Sequence, residues 1–450
     1  MEELNVSRSY ARFILDTQFS DMPKQAVIKA KLSLIDWLGC VAAAVNEPSS
    51  KALGEFVKEF GGTAEAEVAG AGIKAPSFMA AFANGMMAHT VESDDIYKDA
   101  LYHPGAPVIA AALAVGQKVE ATGQELLRAI IIGYEISNRI GKAVNPSHYN
   151  YFHTTGTVGT FGAAAAAAAL LGLTEDQVIS CLGLAGTSAA ALWESNGTNG
   201  KPFHAGKAAQ NGTMAALLAA KGITGPEKII EGKKGFMKAM SRSDNYDTLI
   251  EGLGSYYTII DVSTKYYGSC GHTFAPIDAA LNVLEMNDID IVDIVKIYVK
   301  TYQAAIEVAG NSEPGTAYQS KFSISYCVAA AVKFGKVFRN EFQDQYLADS
   351  EIRKLMAAVE VSVGQELEEI FPAKRGASVE IVTNKGSYID TVYCRKGDPG
   401  NPLTEEEFFY KYTELIGEVL SDLEKKQTFD QIQAIDTNNS IDWVLTKFIC

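Results

Sequence analysis

The stretch that most restricts the fold is 157–173, TVGTFGAAAAAAALLGL. It carries no charge, and its 17 residues sit at the lower limit of about 17–25 for a membrane-spanning helix. Its composition decides between membrane and core. Alanine and glycine offer little apolar area to lipid, but they let neighbouring helices approach closely. The segment is therefore expected to be a buried helix of a globular core, with other helices as its neighbours. From Met1 to about Gly254 sustained period-two alternation is almost absent, so this whole part is expected to be helical.

Start and stop signals mark the individual helices. Pro23 opens one that runs to about Val45, with Ser20 or Asp21 placed to cap it. Leu53, Phe56, Val57 and Phe60 repeat at helical spacing until Gly61-Gly62. Ser77–Ala88 and Ala106–Gly116 are apolar helical runs. Thr122-Gly-Gln-Glu125 and Thr174-Glu-Asp-Gln177 read as capping boxes. After about Ser263 the texture changes. Asp293–Thr301, Ala358–Val363, Ser378–Thr383 and Ser387–Cys394 read as strands, with a hairpin loop at Asn384-Lys385-Gly386. Helices are expected at Ala275–Met286 and Phe322–Phe334, and Thr404 caps another ahead of Glu405-Glu406-Glu407. The expected fold is mainly α with a smaller α+β domain: residues 1–265 helical, 266–400 a small α+β domain, and 401–450 C-terminal helices returning to the first.

Charge and cysteine usage narrow the partners. With 39 basic and 54 acidic residues the net charge is −15, which argues against nucleic acid and anionic membrane. A small anion remains compatible through a local cluster of Lys, Arg and His. Cys40, Cys181, Cys270, Cys327, Cys394 and Cys450 are scattered without a C-x-x-C pair, a spacing unsuited to a disulfide framework, zinc or iron–sulfur. MEELNVSRSY lacks the basic and apolar regions of a secretory signal. A cytoplasmic location is the expectation.

Histidine is the side chain that titrates near neutrality. All six histidines fall between His89 and His272, and four sit in YHPG, YFHTTG, KPFHAG and SCGHT. A lone histidine is more often a satisfied core residue. Four beside glycine, proline and threonine point instead to a shared site on loops. Residues 89–105, HTVESDDIYKDALYHPG, place His89 and His103 around Glu92, Asp94, Asp95 and Asp99 between two apolar helices. Taken alone, those acids also fit a solvated loop.

Residues 196–212, NGTNGKPFHAGKAAQNG, collect Lys201, His204 and Lys207 in a glycine-rich loop running into a helix, a pattern suited to an anion. The competing reading is a solvated turn with chance lysines. His153 precedes the Ala-rich helix, and His272 enters the first helix of the second domain. Cys270 beside His272 is weak support for a thiol nucleophile. No H-E-x-x-H or other short ligand spacing appears, so no metal is expected.

Taken in order, DWLGC, H-x-x-E-x-D-D, HPG, FHTTGTVG, GKPFHAGKAAQNG, CGHT and KFSISY resemble the MmgE/PrpD family over nearly the whole chain. That family includes 2-methylcitrate dehydratases, cis-aconitate decarboxylases and an iminodisuccinate epimerase. The resemblance implies a homodimer without metal or organic cofactor, and an active site between the two domains. It aligns His103 with the HP-motif histidine, His153 with the histidine before the Gly/Ala-rich helix, and Lys201 with the lysine of KP-x-H. His272 aligns with the histidine opening the second domain, and Tyr326 with a tyrosine of the decarboxylases. Glu92 stands where the dehydratases and decarboxylases have aspartate, ahead of the Asp94–Asp95 pair. Ile96 stands near a decarboxylase threonine, and the segment to His103 is one residue longer. These departures bear on substrate and reaction.

The chemistry expected is proton transfer at a carbon next to a carboxylate, followed by loss of hydroxide or CO2, or by reprotonation. Lys201, His204 and Lys207 would face substrate carboxylates. Glu92 or an imidazole would be the base, and His103 or His153 the acid. Catalytic roles are thus expected for Glu92, His103, His153, Lys201 and His272, and substrate binding for Asp94, Asp95, His204, Lys207 and Tyr326. A dehydratase of a small di- or tricarboxylate is the leading expectation, an epimerase or decarboxylase the alternative. A non-catalytic helical scaffold is the alternative of another class.

Overall fold

A computed structural model describes residues 5–448; Cys450 and the first four residues of the N-terminal stretch fall outside the described residues. The chain is mainly α with a smaller α+β part and divides into two units, Met1–Ser263 with Leu415–Cys450, and Thr264–Glu414. The sequence reading put the return to the first unit at residue 401. Residues 401–414 belong instead with the second, where Lys396 bonds Glu407 at 2.6 Å.

In the first unit the helix Thr154–Leu171 is the centre, with fifteen of its residues buried. It packs against Gly105–Lys118, Gly123–Val144, Glu175–Ser188 and Gly200–Ala220. This helix is long and apolar enough to cross a membrane, but 83% of it is buried inside the protein, as its alanine and glycine content requires. Thr122 and Thr174 close their capping boxes, each threonine accepting from the backbone N–H three residues on, contributions worth about 1 kcal/mol apiece. Asp21 does not cap the next helix. Its carboxylate accepts from Gln18 N–H within a short 3₁₀ turn, and Lys24–Ala44 starts straight after Pro23. A small antiparallel hairpin pairs β1 (Ala66–Val68) with β2 (Ile73–Ala75). The C-terminal segment packs back on this unit, with Lys31 Nζ 2.6 Å from Asp436 and Gly123 N–H donating to Asn438 O at 3.0 Å.

The second unit is built on a four-stranded sheet in the order β4-β3-β5-β6. β3 (Ile294–Thr301) is parallel to β4 (Val359–Val363) and antiparallel to β5 (Ala377–Thr383), which pairs antiparallel with β6 (Gly386–Val392). A parallel pair needs a long crossover, and the helices Ile324–Phe334 and Ser350–Ala358 supply it. β5 alternates buried and half-buried positions. Its buried face, through Val379 and Ile381, joins Ile297 and Val299 of β3 and Ile277 and Ala280 of the helix Phe274–Met286 in one apolar core.

Candidate active site

The site in the first unit is assembled where the helix Ser77–Thr90 ends and Gly105–Lys118 begins. Just past the first helix Glu92 takes a left-handed backbone, φ +60, a position that favours glycine or asparagine. Ile96 is tied to Ser263 by a pair of backbone hydrogen bonds (2.9 and 2.8 Å), and Tyr97 pairs with Tyr102 around a 3₁₀ turn. That folding carries His103 back beside His89.

One carboxylate and one backbone carbonyl hold these histidines. Asp94 Oδ2 accepts from His89 Nδ1 at 2.7 Å and lies 3.6 Å from His103 Nδ1. His103 Nδ1 meets the backbone carbonyl of Asp95 at 2.8 Å. A carbonyl only accepts, so Nδ1 of His103 carries a proton. The Thr155 hydroxyl accepts from His103 N–H at 3.2 Å, which anchors the loop to the start of the central helix. Asp95 accepts from Tyr134 Oη at 2.7 Å and from Gly105 N–H at 2.9 Å. Burial pushes its carboxyl up to about 7, with those two hydrogen bonds opposing and the charges of Asp36 and Asp94 adding to the rise. The glycine of HPG is explained by the same contacts: a Cβ on Gly105 would lie 2.9 Å from both Asp95 Oδ1 and Tyr134 Oη.

His153 and Lys201 complete the cluster. His153 precedes the first turn of the central helix and is 1% exposed. Its ring stacks on His89 (centroids 5.4 Å, 21° between planes) and tilts against Trp193 at 5.2 Å. Its Nδ1 is 3.3 Å from Nδ1 of His204, a hydrogen bond only if one of the two nitrogens is bare. Burial first, then the charges of His89, Lys201, His103 and His204, hold His153 well below the usual imidazole range. Burial, Lys207 and His89 push His204 down to about 4. Nε2 of His89 and Nε2 of His153 are buried and meet no hydrogen-bond partner among the described residues. Lys201 Nζ makes an ion pair with the Glu92 carboxylate.

Several expectations meet a different geometry. Residues from Gly200 onward are helical, so Lys201, His204 and Lys207 stand on the helix Gly200–Ala220 and not in a loop. Glycine there serves packing: a Cβ on Gly206 would come 2.5 Å from the carbonyl oxygen of Phe82. Lys207 donates to the Ala190 carbonyl, and burial pushes its amine down to about 8. Asp94 and Asp95, expected at the substrate, are 2% and 4% exposed and orient His89, His103 and Gly105. Tyr326, also expected there, is buried in the second unit and donates to the Glu341 carbonyl. His272 belongs to the second unit, with Nδ1 at 2.7 Å from Tyr302 Oη. His89 is named in the sequence reading without a role, and Tyr134 and Trp193 are not singled out there. For Tyr134 and Trp193 the sequence held no signal beyond ordinary core aromatics. The signal for His89 was its spacing of five residues from Asp94.

His89, Asp94 and His103 each offer a ligand atom within 4.8 Å of the others, a set that no short sequence spacing announced. Coordination through either Nδ1 would break the hydrogen bonds to Asp94 and to the Asp95 carbonyl. As folded, the group works as two oriented imidazoles.

A large helical unit carrying a buried acid–base cluster, in one chain with a small α+β unit, defines the class. The chain matches the MmgE/PrpD N-terminal domain over residues 8–249 and the MmgE/PrpD C-terminal domain over residues 267–436, and it belongs to the MmgE/PrpD family. It is 26% identical to a cis-aconitate decarboxylase of Aspergillus terreus, over 96% of this chain and 93% of that one. The human cis-aconitate decarboxylase is 26% identical over 79% and 76%. A 2-methylcitrate dehydratase of Cupriavidus necator is 24% identical over 84% of each.

Proposed function

We propose that the protein is a cofactor-independent lyase that dehydrates a small di- or tricarboxylate of the 2-methylcitrate kind. The observation that carries this reading is the pair of buried, unpartnered imidazole nitrogens, His89 Nε2 and His153 Nε2, next to the Lys201–Glu92 ion pair. A buried polar atom left unsatisfied costs about 1–3 kcal/mol, and a substrate hydroxyl donating to such a nitrogen would relieve that cost. A substrate carboxylate competes with Glu92 for Lys201. The lysine then neutralises the charge that grows as the adjacent carbon loses its proton.

In this mechanism His103 Nε2 takes the proton from carbon. The electron pair forms the double bond, the C–O bond breaks, and the leaving hydroxide departs as water with the proton that His103 took from carbon, which returns the imidazole to its starting state. The decarboxylation reading is favoured by the named relatives that align with 96% of the chain. There a C–C bond breaks, CO2 leaves, and His103, protonated beforehand from solvent, delivers that proton to the resulting carbanion. Epimerisation would return the proton to the opposite face. A homodimer in the cytoplasm belongs to the same proposal and is tested by sedimentation and by fractionation of the source cells.

Incubation with a panel of carboxylates in D2O, followed by proton NMR, separates the reactions. New vinyl signals without gas release mean dehydration. CO2 release means decarboxylation, and deuterium at the α-carbon without elimination means epimerisation. Silence across the panel, with no binding by calorimetry, would leave a non-catalytic scaffold as the better reading.

A further inference from the structure

The end of the sheet in the second unit gathers basic and hydroxyl groups from three strands. The pairings Lys300↔Ser378 and Ala377↔Val392 set the exit of β3, the entry of β5 and the exit of β6 side by side. Tyr302 follows β3, Arg375 precedes β5 and Arg395 follows β6, so register alone places these three residues together. His272 joins them through Tyr302 Oη at 2.7 Å, and Phe371 stacks on Tyr302 at 4.5 Å and 12°.

The two arginines are not equivalent. Arg395 is saturated: Nη2 and Nε reach Asp398 at 2.9 and 3.2 Å, and Nη1 donates to the Gly271 carbonyl at 2.8 Å. Arg375 makes no hydrogen bond or ion pair among the described residues, and its Nε is buried without a partner. It is half-buried. The acid whose charge acts on Arg375, Asp398, already holds Arg395. Burial and then the charges of Arg375 and Arg395 push His272 down to about 3, so it stands neutral beside them. Burial likewise keeps the Tyr302 hydroxyl protonated, up to about 12. The net result is one uncompensated guanidinium flanked by neutral groups able to donate or accept.

A buried charge without a counter-charge is costly, and proteins rarely carry one without a use. The guanidinium fork matches a carboxylate in bidentate fashion. We propose that Arg375 is the binding residue for a carboxylate of a small organic acid, with the Tyr302–His272 pair as neighbouring polar contacts. A phosphate oxyanion shares this chemistry. The choice of carboxylate rests on the lyase reading, whereas the existence of an anion site does not.

The test uses the full chain, with succinate and inorganic phosphate as probes, followed by calorimetry and by the rise in melting temperature on binding. Succinate binding should weaken about 10- to 100-fold in Arg375→Met. Arg375→Lys, which keeps the charge and loses the fork, should recover only part of that loss. Without ligand, Arg375→Met should melt at or above the wild-type temperature, because it removes an unpaired buried charge. A purely structural arginine would lower it. Wild-type succinate affinity in Arg375→Met, or tight phosphate binding with none of succinate, overturns the proposal. If succinate binds through Arg375 while the reaction panel stays silent, the lyase reading fails and the site stands.

Discussion

His148 and His153 lie five residues apart, both deeply buried, both against the central helix, and they are chemically opposite. His148 spends both nitrogens, with Nδ1 at 2.9 Å from the Met240 carbonyl and Nε2 at 2.8 Å from Thr157 Oγ1, and its ring stacks on Phe152. His153 shares one nitrogen with His204 and buries the other without a partner. Burial pushes both imidazoles down, so burial does not separate them. Saturation does. An imidazole bonded at both nitrogens is locked in one tautomer and cannot move a proton without opening the core.

The comparison is most exposed at His103. Its place between Asp94 and the Asp95 carbonyl, beside His89, makes it the proposed proton carrier, so His103→Ala should lower kcat by about 10²–10⁴-fold while melting near the wild-type temperature. The contrast between the clustered histidines and His148 collapses if His103→Ala keeps its kcat and His148→Ala, refolded to the same melting profile, loses it. Next comes Lys201→Met. A charged hydrogen bond is worth roughly 1.5–3 kcal/mol, so kcat/KM should fall by about one to two orders of magnitude. A fall in kcat as well as a rise in KM is expected if the lysine serves the transition state. Wild-type kcat/KM on a substrate the parent converts would remove it from the mechanism.

The acid limb of stability sharpens the same contrast. His148 is pushed down to about 4, against about 6.5 in an unfolded chain. Between those values the unfolded chain takes up a proton that the folded one refuses. Stability therefore falls as pH drops from about 6.5 to about 4, by on the order of 3 kcal/mol for this residue. His204, pushed to the same value, adds in the same direction. In His148→Gln the slope of unfolding free energy against pH in that window, from urea titrations, should be shallower. An unchanged slope would place the acid sensitivity elsewhere.

The smallest effect is expected in Glu92→Gly. Relief of the left-handed backbone at φ +60 should raise stability by up to about 1 kcal/mol, while turnover drops because Lys201 loses the carboxylate that orients it before substrate arrives. A variant that is less stable and fully active would show that Glu92 serves the fold and not the chemistry.

Much of this was legible along the chain. Thr122, Thr174 and Thr404 announced their helices, and each makes the expected bond to the residue three positions on. β5 and β6 fall within a residue or two of the expected strands, since period-two alternation is a local property. The helix from Gly200 was misjudged because glycine punctuates loops and also permits close helix contact, and residue order does not tell these uses apart. The two-residue turn Asn384-Lys385, by contrast, needed only its own neighbours to be recognised.

By itself the sequence determined the helical class of the first unit, the sheet of the second, and the pool of histidines, acids and lysines available for chemistry. Local periodicity, caps and side-chain type settle those properties. Only the tertiary structure decided how each member of the pool is used. Asp95, read as a substrate contact, is consumed by Tyr134 and Gly105; His148 is consumed by Met240 and Thr157. His89, Trp193 and Arg375 gain their significance from partners, or from their lack, brought in by helices and strands far away in the chain. Whether a polar group is saturated depends on atoms that only folding brings within about 3 Å, and no spacing within the chain encodes that count.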